Sequence, residues 1–526
     1  MRTPPGSCDR ACTPPGRRRS PGASTGQPEF AGQLTQGNMG GPGTNDDADI
    51  GQHCHHNRHD PADGQQRPGA NAESTRLYLL TLTVVGCFLC VSNQTESLTK
   101  DGLMMKMHSL GFAGCILLST VSLTVNAAAY TNLGHEAGAQ CKTSGINDNG
   151  IAVGNCTPAS ASANNVPWLA DTNTENSQVA LKPLVVGQPC RALNISNAGW
   201  IGGACKNENN VNTAVIWNAT TPNSIPTALK PLPGVVLPLR AADVKTIIMA
   251  SNQRGDMVGW SISSNQELST VIWLAGNDTP KRVFSSLLGL LGYNDKCVPV
   301  GVSDSLSNGY PSIAMNCPST NGITIPQVAK ANVTTYTISS LPIATGANRC
   351  YVKGVNNALQ SVGYCEYPDT ATNPVRTAAW MTPTTAPLTL TLSIKSKNAG
   401  RAINNAGIVL ASRQDDTGRV SDLTWIPPAG LAGIQLIQPP TGAVSTQAFG
   451  IADNNTVALN SDVDQYITGC IWYPATGGNP ATTNCLASIG GGKKNWLDTF
   501  SQSGGYAGGV NINNTQDMDA VAAGLP

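Results

Sequence analysis

The chain has 526 residues, only 12% of them charged, and its 32 basic and 32 acidic side chains cancel. Ordinary soluble proteins carry about 25% charged residues, so long Lys/Glu-faced helices have little room here. No basic run occurs in the second half, which excludes nucleic acid as a partner, because neutralising phosphates needs a clustered cationic surface.

Residues 1 to about 75 are rich in Pro, Gly, Arg, Gln and Asn and nearly free of aliphatic clusters. Such a stretch buries too little apolar surface to offset its ordering entropy and reads as disordered. His53, Cys54, His55, His56 and His59 lie within it. They have the composition of a metal site but no scaffold to hold ligands, so no metal is expected. Residues 77–92 form an apolar run slightly short for a bilayer span. Met104, Met105, Lys106 and Met107 then precede an apolar run over 110–125 and Asn126-Ala127-Ala128-Ala129. A short basic start, an apolar core and small closing residues make a secretory signal peptide. Signal peptides begin at the initiator, so translation is expected from Met105 or Met107. On this reading residues 1–104 are a low-complexity extension that is not translated, 105–128 the signal peptide and 129–526 the mature domain, secreted or periplasmic and without a membrane span. The rival reading is a signal-anchor pair at 77–92 and 110–125. Cys115 follows Phe112-Ala113-Gly114, but the apolar run lies after it, the reverse of a lipoprotein box.

From residue 129 onward the sequence repeats, and repeats outrank local signals. The segments GINDNGIAVG (145–154), NISNAGWIGG (194–203), ASNQRGDMVG (250–259), GVSDSLSNGYPSIA (301–314), GVNNALQSVG (354–363), AINNAGIVLA (402–411), GIADNNTVAL (450–459) and NINNTQDMDAVA (511–522) share one form. An apolar stretch leads into Asn and a polar turn, and a second apolar stretch comes after it. Asn and Gly tolerate the positive φ that tight hairpins require. A tryptophan keeps the same beat: Trp168, Trp217, Trp273, Trp380, Trp425 and Trp472 each end a short apolar run that reads as a third strand. Runs such as ALKPLVV and ALKPLPGVV read as a fourth. Four strands in about 50 residues, repeated, is the grammar of a propeller blade, with the tryptophans packing between blades.

The cysteines keep this register. Cys141, Cys190, Cys297 and Cys350 precede the turns, and Cys156, Cys205, Cys317 and Cys365 come after them. Residues placed symmetrically about an antiparallel turn face each other at disulfide distance. The expected pairs are Cys141–Cys156, Cys190–Cys205, Cys297–Cys317 and Cys350–Cys365, with Cys470–Cys485 joining the third strand to the segment after it. Ten cysteines in five local pairs point to an oxidising compartment. Zinc is not expected, since 129–526 holds no C-x-x-C and one histidine.

The pattern resembles the bacterial extracellular HAF-type repeat proteins, whose units run as a strand, I-N-x-x-G-x-V-V-G, and a strand ending near Trp. Ala129-Tyr130-Thr131-Asn132-Leu133-Gly134 also resembles the short strand those proteins carry before their first repeat. The resemblance covers nearly all of 129–523, and departs from the family in its cysteine pairs and in lacking the His-Ala-Phe element. It implies export and a propeller-like fold, and no transferable activity. The expected fold is all-β, a propeller of eight blades with seven as the alternative, closed by the strand at 129–133 if that strand completes the last blade.

Catalytic signals are few. His135 is the lone histidine of the mature chain, in a Gly-rich loop, with no G-x-S-x-G elbow. Nucleotide fingerprints are absent from any strand–turn–helix context and no cofactor is expected. Asp415, Asp416 and Asp422, Asp462 and Asp464, and Asp517 and Asp519 lie in loops that calcium could use, but without EF-hand or RTX spacing they read as solvated turns. Asn194, Asn218, Asn332, Asn454 and Asn513 are glycosylation sequons. The composition favours a monomeric binding module for a glycan, surface polymer or protein. The alternatives are a secreted polysaccharide-degrading hydrolase or lyase with its site at the central channel, and an extracellular structural protein.

Overall fold

The computed structural model describes residues 129–526 except 135–137, 161–163, 235–240, 285–294, 334, 393–394, 464 and 477–478. The expectations for 1–128, for His135 and for Asp464 fall outside the described residues.

Each repeat folds into an antiparallel meander. Six meanders are separate four-stranded sheets, over 190–228, 245–282, 298–340, 349–389, 396–436 and 443–485. The remaining sheet has eight strands. It combines the meander 140–180 with the three strands of 494–524, whose outer partner is Thr131–Asn132 from the start of the described chain. One parallel pairing, Gln140 with Met518, links its two halves. An apolar cluster fills the space between each meander and the next. The series runs from Val153 and Leu169 against Ala192 and Val215 round to Ala520 and Ala522 against Ile146 and Trp168. The protein is therefore an all-β propeller with disulfide-stapled hairpins. Among the described residues the one helix is a 3-10 turn, Pro427–Gly433, and no helix is long and apolar enough to cross a membrane.

The repeated residues have identifiable tasks. The six tryptophans are almost fully buried. Trp217 Nε1 donates to Lys182 O at 2.8 Å, Trp273 Nε1 to Lys230 O at 3.0 Å and Trp380 Nε1 to Pro342 O at 2.8 Å. Each acceptor lies just beyond the fourth strand of the preceding meander, so these three indoles fasten neighbouring sheets as well as filling the space between them, while Trp425 Nε1 donates to Gly430 O of its own meander. Gly154 stands opposite Trp168 in the register, and a Cβ there would lie 2.2 Å from the indole.

These bonds also correct the reading of the fourth strands. ALKPLVV and ALKPLPGVV contribute only their first residues, Ala180 and Ala228, to the fourth strands Val179–Ala180 and Thr227–Ala228. Pro183 and Pro231 lack an N–H to extend the ladder, and the carbonyls of Lys182 and Lys230 are turned to the next meander's tryptophan. A second correction concerns the eighth repeat. Its hairpin between first and second strands is 501–505, and 511–522 spans the next turn, between Tyr506–Ile512 and Met518–Gly524. Asn513 misleads because its Oδ1 caps that turn, accepting from Thr515 and Asp517 N–H. At 501 the equivalent residue is Ser. The last meander thus owns its third strand and borrows only its fourth.

Five disulfides join Cys141–Cys156, Cys190–Cys205, Cys297–Cys317, Cys350–Cys365 and Cys470–Cys485, with Cα–Cα separations of 3.9 to 4.1 Å. The first four hold first strand to second, and the last holds third to fourth.

Closure rests on the borrowed strand. Leu133 is fully buried, its N–H donates to Ala520 O at 3.1 Å, and it packs with Ile146, Trp168 and Ala522. Leu133→Ala is expected to lower the unfolding free energy by about 2–4 kcal/mol in urea titrations. The same change at exposed Leu388 should stay within about 0.5 kcal/mol.

Candidate functional site

The first strands of the meanders all end in their hairpin turns at one end of a central channel. The turn asparagine does two jobs there. Asn147 Oδ1 accepts from Asn149 and Ile151 N–H at 3.1 and 2.9 Å, closing its own turn. Its Nδ2 donates to Ser196 O of the next meander at 2.9 Å. Asn252, Asn356 and Asn404 repeat both actions, their amides reaching Ser303 O, Asn404 O and Ala452 O at 2.8, 3.0 and 2.9 Å.

The residue after each turn asparagine or its equivalent makes a second ring, formed by Asp148, Asn197, Gln253, Asp304, Asn357, Asn405, Asp453 and Gln502. Five steps run from a backbone N–H to the next side-chain oxygen. These are Asp148 to Asn197 (2.8 Å), Gln253 to Asp304 (2.8 Å), Asp304 to Asn357 (2.7 Å), Asn357 to Asn405 (3.1 Å) and Asn405 to Asp453 (2.9 Å). Two run through backbone carbonyls, Asn197 N–H to Gln253 O and Asp453 N–H to Gln502 O, at 2.9 and 2.8 Å. Ser503 N–H then donates to Asp148 Oδ1 at 2.8 Å, so the last turn is tied to the first. Gln502 also reaches further, donating to Asp304 Oδ2 at 3.1 Å and Asp453 Oδ2 at 3.2 Å.

Inside the ring lies a cavity of about 260 Å³ lined by residues from every meander. Its walls include Asp304, Asp453 and Asp498 and no Lys or Arg. One residue of each first strand is unpaired in a β-bulge, which locally twists the strand and re-aims a side chain. The bulged residues are Ser144, Leu193, Met249, Val300, Lys353, Arg401, Phe449 and Asp498. Five of them line the cavity, among them Asp498. Surrounding protein disfavours the charge of Asp498 and raises its pKa to about 6, against the pull of Lys142 and a hydrogen bond from Trp496 Nε1. The carboxyl nevertheless keeps contact with solvent, as expected of a group in a channel wall.

The sequence-derived candidates do not converge on this cavity. The ten cysteines are spent on disulfides. Asp415 caps its own turn, accepting from Thr417 and Arg419 N–H. Asp422 and Asp519, read as solvated, are buried. Asp422 sits between the sixth and seventh meanders and accepts from Ser412 Oγ and Ala448 N–H, because a third-strand position faces the neighbouring sheet rather than water. Among the described residues no group of three metal-ligating side chains forms. The residues that sequence reasoning missed are the ring members. Their signal was an amide or carboxylate side chain directly after the turn residue in every copy.

No protein-family model and no curated protein matches the chain. Among solved structures it is similar to the β-propeller domain of the trilobed protease from Pyrococcus furiosus, at 9% identity over 76% of this chain and 96% of that one, with a TM-score of 0.37. It is also similar to the WD40 domain of Toxoplasma gondii coronin, at 9% identity over 76% and 84%, TM-score 0.34. The BP39L lectin from Burkholderia pseudomallei matches at 11% identity over 67% and 100%, TM-score 0.35.

Two measurements test this geometry. Asn404→Ala removes a turn cap and the bonds to Ala452 O and Asn455 Oδ1, and should cost about 1–3 kcal/mol in chemical denaturation. Asp498 should titrate with a midpoint near pH 6 in carboxyl NMR. Its folded pKa lies above the ordinary aspartate value, so the native state binds the extra proton between about pH 4 and 6. Stability should therefore fall as pH rises through that window, and Asp498→Asn should flatten that slope.

Proposed function

We propose that this chain is an exported binding module, an eight-bladed propeller of the HAF-repeat type in which the eight-stranded sheet counts as two blades. We further propose that the turn-side end of its channel recognises an extracellular glycan, surface polymer or protein. The observation that carries this reading is the ring of eight amide and carboxylate side chains, Asp148 to Gln502, around an open cavity. Few, fixed, convergent polar groups in a concave site are what ligand recognition uses, and here seven of the eight ring residues donate a backbone N–H to the next turn. The five disulfides fit an oxidising compartment, which supports export.

One observation favours a second reading. A carboxyl in the channel with a pKa near 6 has the tuning of a general acid, so Asp498 is the residue on which a polysaccharide-degrading activity would depend.

The test uses 129–526 produced in an oxidising compartment and incubated with a panel of neutral and acidic polysaccharides. Retention on a polymer without new chain ends is the expected result, and loss of retention in Asn405→Ala would place the contact at the ring. New chain ends that vanish in Asp498→Asn would replace the binding reading with the enzymatic one. Retention of nothing, with no new ends, would overturn both.

A further inference from the structure

The bulged residues of the fifth and sixth meanders are both cationic. Lys353 and Arg401 occupy the same place on adjacent first strands, the place whose counterparts in five other meanders line the channel cavity. Arg401 is only 7% exposed. Its Nε has no hydrogen-bond partner, and among the described residues no carboxylate stands within ion-pairing distance of either cation. The nearest acid acting on Arg401 is Asp422, whose oxygens are already engaged by Ser412 and Ala448. Lys353 meets the face of the Tyr364 ring, 5.9 Å away.

Burial lowers the pKa of both groups, and the charge of Arg401 lowers that of Lys353 further. Removing like charges from water side by side is costly unless something of opposite sign joins them. Five donors on a planar guanidinium and three on an ammonium suit an oxyanion. A second observation points the same way. At the end of the first strands away from the turns, the chain places Lys142, Arg191, Lys245 and Lys494 on four different meanders, while Arg349 on a fifth is ion-paired with Glu366 at 2.7 Å. A rim of one sign concentrates ligands of the other. Arg349 lies 5.7 Å from the Tyr351 ring, which in turn lies 5.1 Å from Tyr364, so aromatic faces accompany the cations.

We propose that Lys353 and Arg401 form an oxyanion-binding site between adjacent first strands, beside the channel cavity rather than in its walls, and that its ligand is the carboxylate or sulfate of an acidic sugar approaching from the cationic end. Charge complementarity selects the acidic group, and the tyrosine pair beside the cations supplies a face for a sugar ring. This deepens the binding reading by naming the ligand class, but its failure is separable: retention of neutral polymers, indifferent to both cations, would leave that reading standing.

The experiment is titration calorimetry of 129–526 with glucuronate, tetragalacturonate, inorganic sulfate and glucose. Tetragalacturonate should bind more tightly than glucuronate or sulfate, and glucose should not bind. Arg401→Gln and Lys353→Met should each weaken binding at least tenfold, and Lys182→Met should leave it unchanged. In the absence of anion, thermal unfolding of Lys353→Met should occur at the same or a higher temperature than the parent, since one of two repelling charges is gone. That variant keeps the test open if Arg401→Gln fails to fold. No binding of any anion, or equal binding by both variants, overturns the site. Sulfate binding as tightly as tetragalacturonate overturns the acidic sugar and leaves a free inorganic anion.

Discussion

The side-chain amide of the turn asparagine is the contact on which the ring depends. Its oxygen satisfies the N–H groups of its own turn and its nitrogen satisfies a carbonyl of the next, so one residue encodes both a hairpin and a neighbour. Aspartate could close the turn but has no N–H to give the adjacent carbonyl. Serine at 196 and 501 likewise accepts from its own turn, from Trp200 and Tyr506 N–H. It does not reach across. Where the amide bridge is missing, after Ser196, Ser303, Ala452 and Ser501, neighbouring turn residues carry the connection instead: Asn197 to Gln253, Asp304 to Asn357, Asp453 to Gln502 and Ser503 to Asp148. No junction between these turns is left to apolar packing alone.

The disulfides stabilise something else. All five lie within a meander, 15 or 20 residues apart in sequence, so none of them links one blade to the next or the first to the last. A short loop of this kind limits the unfolded chain locally and fixes a hairpin's register, which a one-residue slip would otherwise invert. Ring closure is left to non-covalent contacts: Thr131–Asn132 on the strand Met518–Gly524, Leu133 in the cluster beside it, and Ser503 on Asp148. The covalent and non-covalent devices are therefore complementary, the first acting within sheets and the second between them.

These two levels also explain what was legible in the sequence. Cys141 and Cys156 announce their pairing because antiparallel register is a local rule, and Trp217 announces its beat because burial tolerates few substitutes for an indole. The errors fall where two environments share one sequence pattern. Asn513 caps a turn as Asn147 does, so the eighth repeat is displaced by one hairpin until Ser501 is seen in the equivalent place. Asp422 resembles the half-buried Asp415 in a charged segment, yet faces the next sheet. The rings themselves are invisible to pattern reading, because their members alternate among Asp, Asn and Gln and acquire meaning only when turns distant in sequence meet at the channel.

The channel is electrically uneven along its axis, and this is a consequence of the repeat as well. Every first strand runs the same way, so a residue preference at its start becomes a rim at one end of the channel, and a preference after the turn becomes a rim at the other. Lys142, Arg191, Lys245 and Lys494 collect at the first, and Asp148, Asp304 and Asp453 at the second. The overall charge cancels, but the two rims do not cancel locally, because they are separated by the length of the strands and low-dielectric walls weaken screening between them. An elongated ligand with one acidic end on this axis meets attraction at the strand starts and repulsion at the turns. Its polarity is therefore set by the two rims before any specific contact is made.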